Sequence, residues 1–312
     1  MNPIVAPPNV AASLRAQLKE LRATGRAEFY ERVDLRAWTA LRLGGTADLV
    51  IRCRTASGAA QVLDLLACHG LGWIAIGSGS RLVPPDRGLR VPVVTFGGEL
   101  ARWQREDEGV VVGAGASVGQ LARSLAGQGL TGLERLIGTP GSLGGTFARH
   151  LGHASTPSLG ARADWIDFQA PGKPTFRYRV AGGEVAPDLR RWVILRSRLD
   201  LGSPADEGES EGTGTDRGEI ADGTIGPVFE APAGEQVDVA HLLAGAGCAD
   251  VGRGGVRSLR SNPNRLRVSR GGSSSDVVAL IRRMRDRVDE RYGVLLPLRL
   301  EPVDELGRLV DP

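Results

Sequence analysis

The chain has 312 residues, of which 41% are hydrophobic and 24% charged, a balance typical of globular proteins rather than disordered or fibrous ones. No run of about 18 apolar residues occurs, which excludes a membrane-spanning helix. The first residues lack the basic start and apolar run of a signal peptide, so we expect a cytoplasmic protein.

The net charge of +3 says little about partners, but basic residues concentrate between Arg253 and Arg291. This stretch has eleven arginines against four acids and no aromatic residue, and Tyr292 follows directly after it. Arginine replaces lysine almost everywhere in the chain, which indicates a compositional bias. Because stacking on bases needs aromatic side chains, we expect no nucleic-acid partner. The three cysteines are far apart and predict neither a metal site nor a disulfide framework.

The N-terminal half alternates helical and strand patterns. In chain order we predict a helix at 13–27, a turn and strand at Leu41–Ile51, a helix at Ala59–Cys68, a buried strand at Trp73–Ile76, strands at Val91–Phe96 and Val110–Val112, a helix at Val118–Gly127 and a glycine-rich loop at Leu130–Gly145.

The C-terminal half is interrupted by a segment of glycine, acidic and small polar residues at Ser203–Thr224, which predicts a linker or long loop. Strands are expected at Ile166–Phe168, Trp192–Leu201, Pro227–Phe229, Leu266–Val268 and Val294–Leu300, with helices at Val239–Ala246 and Ser275–Tyr292, the last capped by Ser274 or Ser275. The mixture of strands and helices predicts an α+β or α/β class.

Two glycine-rich loops are the candidates for binding a phosphorylated group. Gly77–Ser80 follows a predicted strand, and glycines there let successive backbone N–H groups converge on a phosphate. Gly129–Gly145 cannot form regular structure throughout and exposes N–H groups around a tight turn. Neither loop has the spacing of a Rossmann fingerprint or of a P-loop.

The second loop also resembles the flavin-binding signature of the UDP-N-acetylenolpyruvoylglucosamine reductases. Further segments are similar to that family in the same order, namely Trp38–Asp48, Ile76–Leu82, Val112–Ala116, Phe176–Arg179 and Tyr292–Leu295. The resemblance covers about residues 36–201 well and 225–300 loosely.

The resemblance implies an α+β fold with an FAD-binding domain of the PCMH type (vanillyl-alcohol-oxidase-like) in two subdomains, followed by a smaller α/β substrate domain. The implied boundaries are an N-terminal helical segment at 1–33, the FAD-binding domain at 34–201 (subdomains at about 34–97 and 98–201), an acidic linker at 202–224 and the substrate domain at 225–312.

The resemblance further implies FAD as cofactor, NADPH as hydride donor and a UDP-sugar carrying an enolpyruvyl ether as substrate, in the synthesis of peptidoglycan precursors. The residues implied to bind FAD are Gly77, Ser78, Gly79, Ser80, Arg81, Leu82, Gly138, Thr139, Pro140, Gly141, Ser142, Gly144 and Gly145.

The catalytic positions are only partly matched. Arg179 matches the family's arginine, which stabilises charge on the substrate carboxylate. Pro227 stands where the family has a proton-donating serine, and proline has no hydroxyl. Arg299 stands at the position implied for a carboxylate, with Glu301 two residues on, on the same strand face.

Three functions follow as alternatives. The first is an active reductase in which Tyr178, Thr224 or water supplies the proton and Glu301 replaces the absent carboxylate. In this reading the arginines of 253–270 hold the UDP diphosphate. The second is a flavin-binding homologue with impaired catalysis that serves as a scaffold or regulator in cell-wall synthesis. The third is a basic binding module that no longer binds FAD. Arg177 is expected to be a solvated neighbour of Arg179 on the other strand face.

Overall fold

The computed structural model describes residues 8–130, 132–150, 157–160, 162–180, 192–201, 224–232 and 237–312. Residues 202–223 of the expected linker lie outside this description. The chain divides into two compact units. The first comprises Met1–Glu31, Leu49–Ser78 and Pro92–Arg217, and the second comprises Arg32–Asp48, Gly79–Val91 and Gly218–Pro312.

The described helices and strands confirm the mixed composition. The helices are α1 (Pro8–Ala23), α2 (Ala56–Cys68), α3 (Val118–Ala126), α4 (Leu143–His150), α5 (Pro157–Gly160), α6 (Val239–Gly245) and α7 (Ser274–Tyr292). The strands are β1 (Ala27–Asp34), β2 (Thr46–Cys53), β3 (Ile74–Ala75), β4 (Leu82–Val83), β5 (Val93–Phe96), β6 (Trp103–Glu106), β7 (Gly109–Gly113), β8 (Ala163–Gln169), β9 (Phe176–Arg179), β10 (Val193–Asp200), β11 (Thr224–Ile225), β12 (Gly252–Arg253), β13 (Val256–Ser258), β14 (Leu266–Val268) and β15 (Glu301–Pro302). No helix among the described residues is long and apolar enough to cross a bilayer.

A four-stranded sheet in the order β1-β2-β5-β3 lies mostly in the first unit. Strands β2 and β3 both run parallel to β5. Helix α2 connects β2 to β3, and its Val62, Leu63 and Leu66 are fully buried, as a crossover helix between parallel strands requires. We expected the strand at Trp73–Ile76 to be buried, but only Ile76 is buried. Trp73 and Ile74 are half-buried, and Ala75 is exposed.

A five-stranded antiparallel sheet in the order β6-β7-β10-β8-β9 completes the first unit. Leu121 and Leu125 of α3 lie in one hydrophobic core with Val112 of β7 and Ile166 of β8. The loop predicted at Leu130–Gly145 is only partly a loop. It contains a 3₁₀ turn at Glu134–Leu136, and Leu143–Gly145 form the first turn of α4.

The second unit is built on helix α7 and the antiparallel sheet β11-β14-β13-β12. The N-cap of α7 is Ser273, whose hydroxyl accepts from the N–H of Asp276, so the expected caps are wrong by one or two residues. Asp86 accepts from the N–H groups of Ser274 and Ser275 and satisfies two more donors of the first turn. Gly293, with φ 67°, ends the helix.

Two strand predictions in the second unit are wrong. Pro227–Phe229 is not a strand, because Pro227 cannot donate a hydrogen bond and Gly226, with φ 152°, adopts a conformation that favours glycine. Only Phe229 pairs, through a single bridge to Leu298. The strand expected at Val294–Leu300 is likewise reduced to that bridge, and regular pairing begins at Glu301, parallel to β4.

Arg177 is exposed, as we expected, but the strand face that we expected for it is wrong. It lies on the same face of β9 as Arg179, because alternate residues of a strand share a face. Arg177 and Arg196 both donate to the carboxylate of Asp167, whose side chain is 4% exposed, and the Arg177 guanidinium stacks 3.6 Å from the ring centroid of Trp165. Burial alone would raise the pKa of Asp167, but hydrogen bonds from the two arginines hold that pKa below its ordinary value.

Replacing Asp167 by Asn is therefore expected to lower the free energy of unfolding by about 2 kcal/mol, because two guanidiniums lose a buried partner. A carboxyl whose pKa is depressed by folding stabilises the protein above its unfolded pKa and loses that effect as pH falls through the folded pKa. Urea denaturation should show wild type losing more stability than Asp167→Asn between about pH 5 and about pH 3. Asp200→Asn, at a 59% exposed surface carboxylate, is the control. If Asp167→Asn and Asp200→Asn lower the free energy of unfolding equally, Asp167 is not the buried partner of the two arginines.

Candidate functional site

The first glycine loop begins where β3 ends and is exposed at Gly77 and Ser78. A Cβ atom at Gly77 would lie 2.1 Å from Oγ of Ser142, so a side chain at this position would require the Ser142 hydroxyl to move. The first unit thus brings together two segments that are 65 residues apart in the chain, and both belong to the predicted flavin-binding set.

The second glycine loop is fixed by the segment that joins β7 to α3. The N–H groups of Leu143 and Gly144 donate to the carbonyls of Ala116 and Ala114, at 2.9 and 2.8 Å. Ser142 is buried, and its hydroxyl accepts from the N–H of Gly145. The segment Gly138–Gly145 is therefore positioned by backbone hydrogen bonds and by the hydroxyl of Ser142.

Gly119, at the start of α3, determines how closely this helix approaches the second loop. A Cβ atom there would lie 2.7 Å from the Thr139 carbonyl oxygen and 3.4 Å from the Gly138 nitrogen. The glycines of these loops therefore differ in purpose. Gly77 and Gly119 allow protein segments to touch, whereas at Gly138 a Cβ atom would meet nothing within 4 Å.

The first unit presents backbone donors of the kind that a dinucleotide phosphate needs. Within the described residues, the N–H groups of Gly77, Ser78 and Gly138 donate no hydrogen bond. Gly138 has φ 81°, and open space surrounds its Cα. Unpaired N–H groups in glycine loops form anion-binding concavities. These residues therefore fit a group such as FAD, although their individual roles remain predictions.

The remainder of the first loop belongs to the second unit. Gly79, with φ 62°, accepts from the N–H of Ala40, and a Cβ atom there would lie 2.2 Å from the Trp38 carbonyl oxygen. Leu82 is buried in β4 and pairs with β15. Arg81 lies just before β4, where its carbonyl accepts from the N–H of Glu301.

Arg81, Arg299 and Glu301 form a charged cluster in the second unit. Burial and the charge of Arg299 lower the pKa of Arg81 to about 10, although Glu301 acts in the opposite direction. Burial also lowers the pKa of Arg299, which forms an ion pair with Glu230 at 3.9 Å. Two partly buried guanidiniums thus lie near two carboxylates, Glu301 and Glu230. They do not reproduce the acidic site that the resemblance implied at this position.

The predicted catalytic residues Arg179 and Tyr178 lie on opposite faces of β9. Arg179 is 78% exposed and pairs with Asp164 at 3.0 Å, so its guanidinium is accessible to a second anion. Tyr178 is half-buried and packs against the hydrophobic core of the first unit. Thr224 is buried, and its hydroxyl has no partner among the described residues. The geometry thus favours Arg179 over Tyr178 as a group that contacts substrate.

The segment around Pro227 is held by Asn264, a residue that we did not single out from the sequence. Its side-chain oxygen accepts from the N–H groups of Val228 and Phe229, and its amide donates to the Phe229 carbonyl. Asn264 is 7% exposed. The Asn262, Pro263 and Asn264 run between two strands is a turn signal that marks such a residue.

Replacing Asn264 by Ala leaves the buried N–H and carbonyl of Phe229 short of a partner, whereas the Val228 N–H keeps the backbone carbonyl of residue 264. The variant is expected to lower the free energy of unfolding by about 2–3 kcal/mol, measured by urea denaturation. Asn264→Asp keeps the acceptor for both N–H groups and removes only the donor, so its loss should be smaller. Equal stability of wild type and Asn264→Ala would show that Asn264 does not hold this segment.

Comparison with known proteins agrees with this geometry. Residues 47–167 match a family model described as FAD binding domain, and residues 218–302 match the UDP-N-acetylenolpyruvoylglucosamine reductase, C-terminal domain. The UDP-N-acetylenolpyruvoylglucosamine reductase of Acidiphilium cryptum is 30% identical over 303 residues, which are 92% of this chain and 94% of the relative. The chain belongs to the UDP-N-acetylenolpyruvoylglucosamine reductase family.

Further relatives extend the same result. The enzyme of that name from Bacillus velezensis is 27% identical over 298 residues, covering 91% of this chain and 97% of its own. The crystal structure of the reductase from Thermus caldophilus has the same fold, with a TM-score of 0.67 and 21% identity. The match covers 89% of this chain and 98% of the Thermus chain. The predicted α+β fold with a PCMH-type FAD-binding domain and the predicted cofactor FAD are confirmed. The domain boundaries remain predictions.

Proposed function

We propose that this protein is an FAD-dependent reductase that uses NADPH to reduce the enolpyruvyl ether of a UDP-sugar in peptidoglycan precursor synthesis, with a slow proton-transfer step. Relatives that this chain matches over nearly their whole length are named UDP-N-acetylenolpyruvoylglucosamine reductase. The observation that supports the slow step most directly is Pro227, which offers no hydroxyl where the family resemblance implies the proton donor.

The proposed roles in cofactor and substrate binding fall on residues of the first unit. Gly77, Ser78 and Gly138 offer backbone N–H groups to the phosphates of FAD, and Gly141–Gly145 position the second loop. FAD, when bound, supplies the hydride-transfer chemistry. Arg179 is exposed and stabilises the charge that develops on the substrate carboxylate.

Proton delivery is then assigned to water. The Thr224 hydroxyl is buried in β11, and Tyr178 packs into the core of the first unit. Glu301 lies beside the guanidinium of Arg81, whose charge it offsets. A missing general acid typically slows a reaction by about 10²- to 10⁴-fold.

Turnover of the enolpyruvyl substrate by FAD-loaded protein with NADPH tests the proposal. We expect slow formation of the reduced product, with a rate that falls in D₂O because proton transfer limits it. No product over many hours, from protein whose flavin is reduced by NADPH, would overturn the reductase assignment.

A second candidate is the flavin-binding homologue with impaired catalysis, acting as a scaffold or regulator. The Arg81, Arg299 and Glu301 cluster favours it, because Arg299 stands at the position implied for a carboxylate and a guanidinium does not act as a general acid near neutral pH. This candidate predicts FAD binding without turnover. Measurable turnover of the enolpyruvyl substrate by the FAD-loaded wild-type protein would exclude it.

A further inference from the structure

Asp164 is the extra residue of a β-bulge in β8. In the pairing of β8 with β10, Arg198 lies opposite Trp165, but the next residue, Leu199, lies opposite Ala163. Asp164 therefore lies opposite no residue of β10. A bulge of this kind turns the side chain of its extra residue out of the regular alternation, and bulges occur often beside active sites. The irregularity in β8 thus redirects one carboxylate of the first unit.

The Asp164 carboxylate lies between two arginines. Its Oδ1 accepts from Nη1 of Arg179 at 3.0 Å, and its Oδ2 accepts from Nη1 of Arg198 at 3.2 Å. The Arg198 side chain is only 22% exposed and is held from its other side by Asp200. Arg198 therefore fixes the Asp164 carboxylate on one side of β8, and the carboxylate can orient Arg179 on the other.

This contact leaves the carboxylate-binding edge of Arg179 open. Arg179 donates to Asp164 through Nη1 alone, and among the described residues its Nε and Nη2 have no partner. Those two nitrogens form an edge that can bind a carboxylate through two parallel hydrogen bonds. In Arg177 the same edge is filled, because its Nε and Nη2 both donate to Asp167. Of these two arginines, Arg179 is therefore the one that can take up a further carboxylate.

We propose that Asp164 is a positioning residue, which holds the Arg179 guanidinium so that its Nε and Nη2 edge meets the carboxylate of the enolpyruvyl group. This inference rests on the proposed function. A free arginine side chain has many conformations and loses that freedom when it binds a ligand. A carboxylate that fixes Nη1 beforehand lowers this cost, and it keeps the guanidinium aligned while charge builds on the substrate.

A double-mutant cycle tests the proposal. Wild type, Asp164→Asn, Arg179→Gln and the double variant are loaded with FAD and reduced anaerobically with a stoichiometric amount of dithionite. Reoxidation of the flavin by the enolpyruvyl UDP-sugar is then timed. We expect Asp164→Asn to slow reoxidation by about tenfold, because a misaligned group loses much of its effect. In the Arg179→Gln background the same change should slow it no further, because Asp164 acts through Arg179.

Glu31→Gln is the matched control, because it also removes the carboxylate partner of one exposed arginine, Arg15. Its flavin should be reoxidised as fast as that of wild type. If the double variant is slowed by the product of the two single effects, Asp164 does not act through Arg179 and the proposal is overturned. It is likewise overturned if Asp164→Asn is reoxidised as fast as wild type.

Binding separates this inference from the proposed reaction. If reduced wild type is not reoxidised, the proposed reaction fails, and ligand titration of the oxidised protein, followed by flavin absorbance, decides the role of Asp164. The enolpyruvyl UDP-sugar is compared with the same UDP-sugar without the enolpyruvyl group. Tighter binding of the sugar that carries the carboxylate, reduced severalfold in both Asp164→Asn and Arg179→Gln, supports the positioning role. No preference in wild type, or an equal preference in Asp164→Asn, overturns it.

Discussion

Replacing Pro227 by Ser is expected to raise kcat for the enolpyruvyl substrate by at least about tenfold, because it restores a hydroxyl at the position implied for the proton donor. The full factor for a general acid, about 10²- to 10⁴-fold, is not expected while Arg299 stands at the carboxylate position, because groups of one catalytic unit act together. Stopped-flow absorbance of the flavin and mass analysis of the product measure the change.

The neighbours of Pro227 make this variant a fair test. Gly226 must stay glycine, since a Cβ atom there would lie 2.7 Å from the Asn264 carbonyl oxygen, and Asn264 holds Val228 and Phe229 on the other side. Pro227→Ala is the matched control, because it removes the ring without adding a hydroxyl. Equal rates for the Ser and Ala variants, with equal FAD content, would show that position 227 does not deliver the proton.

Replacing Gly119 by Ala is expected to weaken FAD binding by at least about tenfold and to lower the free energy of unfolding by about 1–3 kcal/mol. The added Cβ atom would lie 2.7 Å from the Thr139 carbonyl oxygen, which is backbone and cannot rotate away. Either α3 or the Gly138–Thr139 segment must therefore move. Fluorescence titration of apoprotein with FAD and urea denaturation measure the two effects.

The matched control lies at the end of the same helix. Gly127 caps α3 with φ −63°, and the nearest atom to an added Cβ is 3.5 Å away. Gly127→Ala is expected to leave FAD affinity unchanged. It should raise the free energy of unfolding by about 0.5 kcal/mol, because alanine lowers the conformational entropy of the unfolded chain. If both variants bind FAD as wild type does, the contact between α3 and the second loop does not position the cofactor.

The helices were well predicted because their patterns are local. Helix α3 runs from Val118 to Ala126 and ends at Gly127, nearly as its apolar spacing indicates. The cap of α7 was misplaced because Ser273, Ser274 and Ser275 are chemically equivalent, and only the position of Asp276 selects the first. Local sequence patterns therefore predict that a helix forms but not the residue at which it begins.

The strands of the second unit were harder to predict because short apolar runs do not specify pairing. Val228 and Phe229 suggest a strand, but their N–H groups go to Asn264, a partner more than 30 residues away. Asp167 and Arg177 likewise become partners only through the register of β8 with β9. Such contacts depend on tertiary structure, which no local pattern contains.

For the glycine loops, the structure agrees with part of what the sequence predicted. Their composition pointed to phosphate binding, and the structure brings Gly77 against Ser142. Sequence alone did not show that Gly77 and Gly119 also make close contacts within the protein. The bulge at Asp164 was also hidden, because it depends on the register of β8 with β10.

The most direct test of the account is an anaerobic double-mixing experiment that separates the two halves of the proposed reaction. FAD-loaded protein is mixed first with NADPH and then with the enolpyruvyl UDP-sugar, while the visible flavin absorbance is followed. We predict rapid bleaching by NADPH and slow return of the yellow colour with substrate, faster in Pro227→Ser. Flavin that stays oxidised with NADPH, or colour that returns as fast in wild type as in Pro227→Ser, would contradict the account.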